Sequence, residues 1–172
     1  MFDRSRLDMD LQRIVAFYAD RGYPDARVSG IDVKLNNGKD EAMVTVTVAE
    51  GEPVLVSSVD LVGFEAIPAG HLGALRNRIP IKIGRPRDRQ QVLASRELAV
   101  NELRDHGYPF GKVSVNEDGS GRTVALTLTA DLGPLAHFGP VEIAGNKTVS
   151  DRVIRRQLTI CLLYTSPSPR DS

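Results

Sequence analysis

The sequence predicts an α+β chain of tandem repeats, each running strand, helix, helix, strand, strand, with both helices packed on one face of a three-stranded mixed sheet. Three observations point there. Motifs recur along the chain at offsets of 82 to 85 residues. Apolar residues switch between helical spacing and strict alternation in the same order within each repeat. Over 172 residues, 41% hydrophobic and 26% charged is the balance of a chain that buries cores.

The repeat is read by laying the chain on itself. Asp20, Gly22, Tyr23, Pro24 and Val28 recur as Asp105, Gly107, Tyr108, Pro109 and Val113 at an offset of 85, and Gly51, Val59 and Gly63 recur as Gly133, Val141 and Gly145 at 82. The difference falls in the loop around Asn36 to Glu41, where length changes are tolerated. The expected division is residues 1–51 as the C-terminal part of a first unit, 52–133 as a complete unit, and 134–160 as the start of a third.

In the complete unit, Leu55 to Gly63 reads as a strand in which Val59 and Leu61 alternate with Ser58, Asp60 and Val62. Pro68 suits a first helical turn, and Leu72, Leu75 and Ile79 follow at helical spacing. A turn through Pro80 and Gly84-Arg85-Pro86 ends that helix. Asp88 with Gln91 three residues on is a capping-box pattern, opening a second helix whose inner face is Val92, Ala99 and Leu103. The earlier unit repeats that face as Leu7, Leu11, Ile14 and Tyr18. Gly107 takes the left-handed position after the helix, and Pro109 prevents resumption. Strands Lys112 to Asn116 and Thr123 to Ala130 follow, joined by a Glu-Asp-Gly-Ser-Gly turn; Val124, Leu126 and Leu128 form the buried face of the second, and the threonines its wet face.

Composition narrows function. Lys plus Arg equals Asp plus Glu at 22 each, so no global field draws the chain onto nucleic acid or an anionic bilayer. The longest stretch without charge, Gln157 to Pro169, has 13 residues, short of the ~20 a membrane helix needs. Met1-Phe2-Asp3-Arg4-Ser5-Arg6 offers no apolar secretory segment. Residues 161–172, beginning Cys161-Leu162-Leu163-Tyr164, break off an amphipathic pattern and resemble a translated sequencing adapter. They are set aside from fold reasoning, and the lone cysteine goes with them, so disulfide, thiol and cysteine-zinc chemistry lapse. A reading frame cut mid-gene also makes the missing signal peptide uninformative.

Candidate chemistry is sparse. His71, His106 and His137 read as scattered singly, with no partner at metal-ligand spacing, and no catalytic or phosphate-binding motif occurs. The chain is expected to be no enzyme and to hold no metal or cofactor. The run Arg76, Arg78, Lys82, Arg85, Arg87, Arg89 faces the single Asp88, but no aromatic interrupts residues 65 to 107, so a solvated interhelix loop outweighs a nucleic-acid patch. The sharpest rival is a KH-like RNA-binding module, since Gly70-His71-Leu72-Gly73 satisfies GxxG; its counterpart in the next repeat, Arg152-Val153-Ile154-Arg155, carries no glycine.

The paired segments Tyr18-Ala19-Asp20-Arg21-Gly22-Tyr23-Pro24 and Leu103-Arg104-Asp105-His106-Gly107-Tyr108-Pro109, with Ile81-Lys82-Ile83-Gly84 and Phe138-Gly139-Pro140-Val141-Glu142-Ile143-Ala144-Gly145-Asn146, resemble the polypeptide-transport-associated (POTRA) domain. The likeness covers residues 2 to 160. POTRA repeats precede the barrel of BamA-type outer-membrane assembly factors. The resemblance implies a periplasmic scaffold on the inner side of the outer membrane, and a full-length protein anchored by a C-terminal barrel. It implies unfolded outer-membrane β-barrel precursors and assembly-machinery lipoproteins as partners, and no nucleic acid. A TamA-type or two-partner-secretion transporter is the neighbouring alternative. In the POTRA arrangement the last strand of each unit is central and the penultimate one lies at an edge, where a guest strand can pair by β-augmentation. Those strands are Lys112, Val113, Ser114, Val115 and Asn116, and Val28, Ser29, Gly30, Ile31, Asp32 and Val33. Alternation leaves open whether Val113 and Val115, or Lys112, Ser114 and Asn116, point their N–H groups outward.

Overall fold

The computed structural model describes residues 4–35, 38, 41–137, 139 and 141–158. Residues 161–172, with Cys161, and Phe138 and Pro140 of the strand-one motif lie outside the described residues, as does most of the Asn36–Asp40 loop. The elements run α1 (Arg4–Asp20), β1 (Arg27–Leu35), β2 (Ala42–Ala49), β3 (Leu55–Val62), α2 (Ala69–Arg78), α3 (Arg89–Asp105), β4 (Lys112–Ser120), β5 (Thr123–Asp131) and α4 (Asp151–Arg155). They divide into two compact units, residues 1–134 and 135–172.

Within the first unit, β3, β5 and β4 form a sheet in that order, with β3 parallel and β4 antiparallel to the central β5. This is the three-stranded sheet covered on one face that the order of elements predicts, with the mixed pairing that the POTRA resemblance implies. Its covered face carries Val56, Val113, Val124, Leu126 and Leu128, and α2 and α3 bring Leu75, Val92, Ala99 and Leu103 onto it. Phe64, Ile67, Ile79 and Ile81 close the ends of this core. Burying one such side chain contributes about 1.5 to 3 kcal/mol, so this face holds the unit together. On the other face Ala125, Thr127 and Thr129 of β5 remain half-exposed.

Helix ends follow the sequence closely. Gly107 has φ +88°, its N–H donates to Arg104 O at 3.1 Å, and Tyr108 N–H donates to Leu103 O at 3.0 Å. That is a Schellman cap, which satisfies two carbonyls of the last helical turn. α1 ends identically: Gly22 has φ +91°, Gly22 N–H donates to Ala19 O, and Tyr23 N–H to Tyr18 O. The rings of Tyr18 and Tyr23 meet edge to face at 6.2 Å, the apolar contact that accompanies such a cap. Tyr18 also donates to the Glu50 carboxylate, and that bond above all raises its phenol above the ordinary tyrosine range. At the start of α3, Asp88 accepts from Gln90 N–H (2.8 Å) and Gln91 N–H (3.4 Å). Pro68 differs from expectation. It is the N-cap residue of α2, with ψ 139°, and the helix proper begins at Ala69.

The β4–β5 hairpin is also tighter than its composition suggests. Glu117, Asp118, Gly119 and Ser120 belong to β4, and Ser120 pairs with Thr123 across a two-residue loop, Gly121–Arg122. Gly121 takes φ +61°, as a two-residue hairpin loop requires at its first position. Polar side chains disguise this half of the strand because they stand where the sheet has run past the helices.

β1 and β2 form a separate antiparallel ribbon, with Ser29 inserted as a bulge between Val28 and Gly30. α1 presents Leu7, Leu11, Ile14 and Tyr18, all half-buried, and the ribbon leaves Ile31, Val33, Leu35, Met43 and Val44 exposed. In the second unit, Val141–Ala144 adopt no strand, since a strand needs a ladder and no other strand is described there. α4 follows, with Asn146 Nδ2 donating to Val149 O and Asp151 Oδ1.

The two repeats of the first unit meet through backbone and ion pairs. Val54 N–H donates to Gly22 O and Arg87 N–H to Val54 O, both at 2.8 Å. Arg89 pairs with Asp20, Arg21 with Asp88, and Arg122 with Asp25.

Candidate functional site

β4 lies at one margin of the three-stranded sheet. The opposite margin, β3, is covered over its first residues. There Val56 N–H donates to Arg85 O, Gly84 N–H donates to Val56 O, and Leu55 bridges to Pro86. No backbone group among the described residues pairs with the outer side of β4.

The direction of that edge follows from the hairpin. Ser120 and Thr123 close a two-residue loop, so they exchange both N–H···O bonds as a hydrogen-bonded pair. The register then runs without a shift to Lys112 and Asp131. Hydrogen-bonded and non-hydrogen-bonded pairs alternate along it, so Val113, Val115, Glu117 and Gly119 turn their N–H and C=O groups away from β5. Of the two sets left open by the sequence, Lys112, Ser114 and Asn116 are tied into the ladder, and Val113 and Val115 face outward.

Beside this edge an open groove of about 630 Å³ separates β4 from α3. Val100 and Val113 line its apolar floor, with Arg96, Arg104 and Lys112 against the single carboxylate Glu97. Gly111 is required at its end, because a Cβ there would sit 2.9 Å from Leu103 Cδ1 and 3.0 Å from Tyr108 O. The other expected edge, Val28–Val33, belongs to β1. Its bulge at Ser29, whose hydroxyl donates to Thr47 O at 3.2 Å, interrupts the row of outward groups.

Two further sequence readings change, and the rejection of a KH loop stands. The basic run is more than a solvated loop: Arg87 Nε donates to Glu117 Oε2 at 3.0 Å, Arg89 reaches Asp20, and Arg78 lies 3.6 Å from Glu102 Oε2. These cations position elements, and charge counting along the chain could not show partners 24 to 69 residues away. Gly70-His71-Leu72-Gly73 lies within α2 and joins no two helices, so it cannot act as a KH clamp. His71 and His106 are not isolated. Their rings stand edge to face at 4.6 Å, with Glu102 between them. The Glu102–His106 spacing of four residues was the available signal, since it puts both on one helix face. His137 is no part of that group.

No described helix is long and apolar enough to cross a membrane. The POTRA family model, described as surface antigen variable number repeat, matches residues 1–51 and 54–131. The outer membrane protein assembly factor BamA of Neisseria meningitidis serogroup B is 27% identical over 160 residues, covering 91% of this chain and 20% of that protein. A putative outer membrane protein assembly factor of Treponema pallidum is 26% identical over 166 residues, covering 93% and 20%. The chain thus spans about one fifth of the length of these curated relatives. Among solved structures, Haemophilus influenzae BamA POTRA3-5 superposes with a TM-score of 0.51 at 23% identity, covering 92% of this chain and 63% of that one, a likeness of fold. With a strand-helix-helix-strand-strand unit and a family match over residues 1–51 and 54–131, the chain belongs to the POTRA family.

Proposed function

We propose that this chain is a periplasmic, non-catalytic POTRA segment of an outer-membrane assembly factor, and that β4 receives extended segments of unfolded outer-membrane β-barrel precursors. One observation carries the reading: the outward N–H and C=O groups of Val113 and Val115 have no backbone partner among the described residues and lie beside an open groove. A guest strand laid there adds to the sheet through its backbone, which tolerates many guest sequences. Alternate side chains of the guest enter the groove over Val100, and the cations Arg96, Arg104 and Lys112 favour acidic residues at its rim. β1 supplies a second, shorter edge from Gly30 to Val33. Assembly-machinery lipoproteins dock elsewhere on the repeats, and a barrel beyond this segment anchors the whole protein. The division assigns residues 1–51 to the end of one POTRA domain, 52–133 to a complete one and 134–160 to the start of another.

Proline scanning tests the edge. Val115→Pro removes an outward donor and places a ring in the guest's path while leaving the β4–β5 ladder whole. Asn116→Pro breaks the ladder and serves as the contrast. An unfolded barrel-strand peptide is added to the isotope-labelled chain. Wild type is expected to show shifts along β4 with weak affinity, since a short guest must offset its own ordering entropy. Val115→Pro is expected to lose them at an unchanged melting temperature. Shifts that persist in a folded Val115→Pro protein, or that map to α2, refute the edge.

A further inference from the structure

His71 stands in the first turn of α2, and Glu102 and His106 end α3, so three potential ligands converge from two helices. We propose that His71, Glu102 and His106 form a site for a divalent cation of the zinc class, which clips the start of α2 to the end of α3.

The Glu102 carboxylate is 7% exposed, and its Oε1 lies 3.5 Å from His71 Nδ1 and 3.6 Å from His106 Nδ1. One ligating atom from each of the three residues falls within 4.8 Å of the others. Two imidazoles and a carboxylate are a zinc donor set that leaves a fourth position for water, with metal–ligand distances of about 2.0 to 2.2 Å. Closing to that geometry takes rotation of His71, whose side chain is 62% exposed, together with a turn of the Glu102 carboxylate toward His106 Nε2.

A second observation is independent of the cluster's proximity. His106 Nδ1 lies 2.8 Å from the Glu102 backbone carbonyl. A carbonyl oxygen only accepts, so Nδ1 carries the proton and the Nε2 lone pair is left for a cation. Metal-binding histidines are oriented by this kind of bond from their other ring nitrogen. Arg78, 3.6 Å from Glu102 Oε2, holds the second carboxylate oxygen and leaves Oε1 toward the histidines. Imidazole ligands favour zinc, nickel or copper over magnesium or calcium, which prefer all-oxygen sites.

Zinc chloride titrated into the full chain, followed by imidazole proton shifts and thermal melting, tests the site. The chain has 3 histidines, so His137 serves as internal reference. Zinc is expected to shift His71 and His106 but not His137 and to raise the melting midpoint, whereas magnesium at equal concentration does neither. His71→Ala, at an exposed position, is expected to leave the metal-free midpoint unchanged and to weaken zinc binding at least ~10-fold. Glu102→Gln is expected to weaken it similarly, read on the folded protein by the same histidine signals. Zinc affinity unchanged in His71→Ala, equal shifts at His137, or no shift in wild type overturns the proposal and leaves a histidine–carboxylate ion pair.

Discussion

Tyr18 and Leu103 hold the same place, three residues before a glycine-capped helix end, and the hydrogen bonds that close the two caps agree within about 0.1 Å. Leu103 is fully buried, whereas Tyr18 is half-buried. The strands diverge in the same way. Leu126 of β5 is 0% exposed, and its counterpart Val44 of β2 is 41% exposed. In residues 52–133 a parallel strand and two helices flank β5 and its neighbour, but among the described elements the β1–β2 ribbon has neither a third strand nor a second helix, and its repeat meets the next through the Gly22–Val54 bond and ion pairs. The difference separates two kinds of stability. A Schellman cap needs six consecutive residues, so it forms in both regions. A core needs layers brought from far along the chain, and it forms in one.

The largest expected effect comes from separating the regions. A polypeptide of residues 52–135 is expected to fold alone and give a dispersed amide spectrum, and one of residues 1–50 is expected to give the narrow dispersion of an unfolded chain. A dispersed spectrum from residues 1–50 breaks the comparison and moves the domain boundary. Next in size is a paired truncation. Leu126→Ala is expected to lose about 2 to 5 kcal/mol in denaturant unfolding. Val44→Ala, at the matched position, removes little buried surface and is expected to lose less than ~1 kcal/mol. Equal losses would mean that the ribbon is packed as tightly as the sheet. The smallest effect sharpens what the two regions share. Gly107→Val forces a β-branched residue to φ +88° and is expected to lower stability by about 1 to 3 kcal/mol, measured by thermal melting of residues 52–135. An unchanged midpoint would place the end of α3 elsewhere.

What could be read before the structure was whatever depends on neighbours in sequence. Asp88 announces an N-cap, Gly107-Tyr108-Pro109 a helix end, and Val124, Leu126 and Leu128 a half-buried strand. The repeat itself was legible because Gly22, Gly51 and Gly63 and their counterparts Gly107, Gly133 and Gly145 all occupy positive φ, a demand that few residues other than glycine meet. The end of β4 was not legible. Glu117 to Ser120 are polar because the strand outruns its helical cover, and polarity there resembles a turn.

The sequence by itself therefore determined the fold class, the repeat, the caps and the face each side chain takes, because these rest on local backbone preference and apolar periodicity. Tertiary structure decided the rest. Side-chain alternation has a period of two for either backbone direction, so only the Ser120–Thr123 pairing could turn Val113 and Val115 outward. His71 and Glu102 stand 31 residues apart, and Arg89 and Asp20 stand 69 apart. Each pair meets because helices and repeats pack, and no spacing along the chain encodes a contact that packing creates.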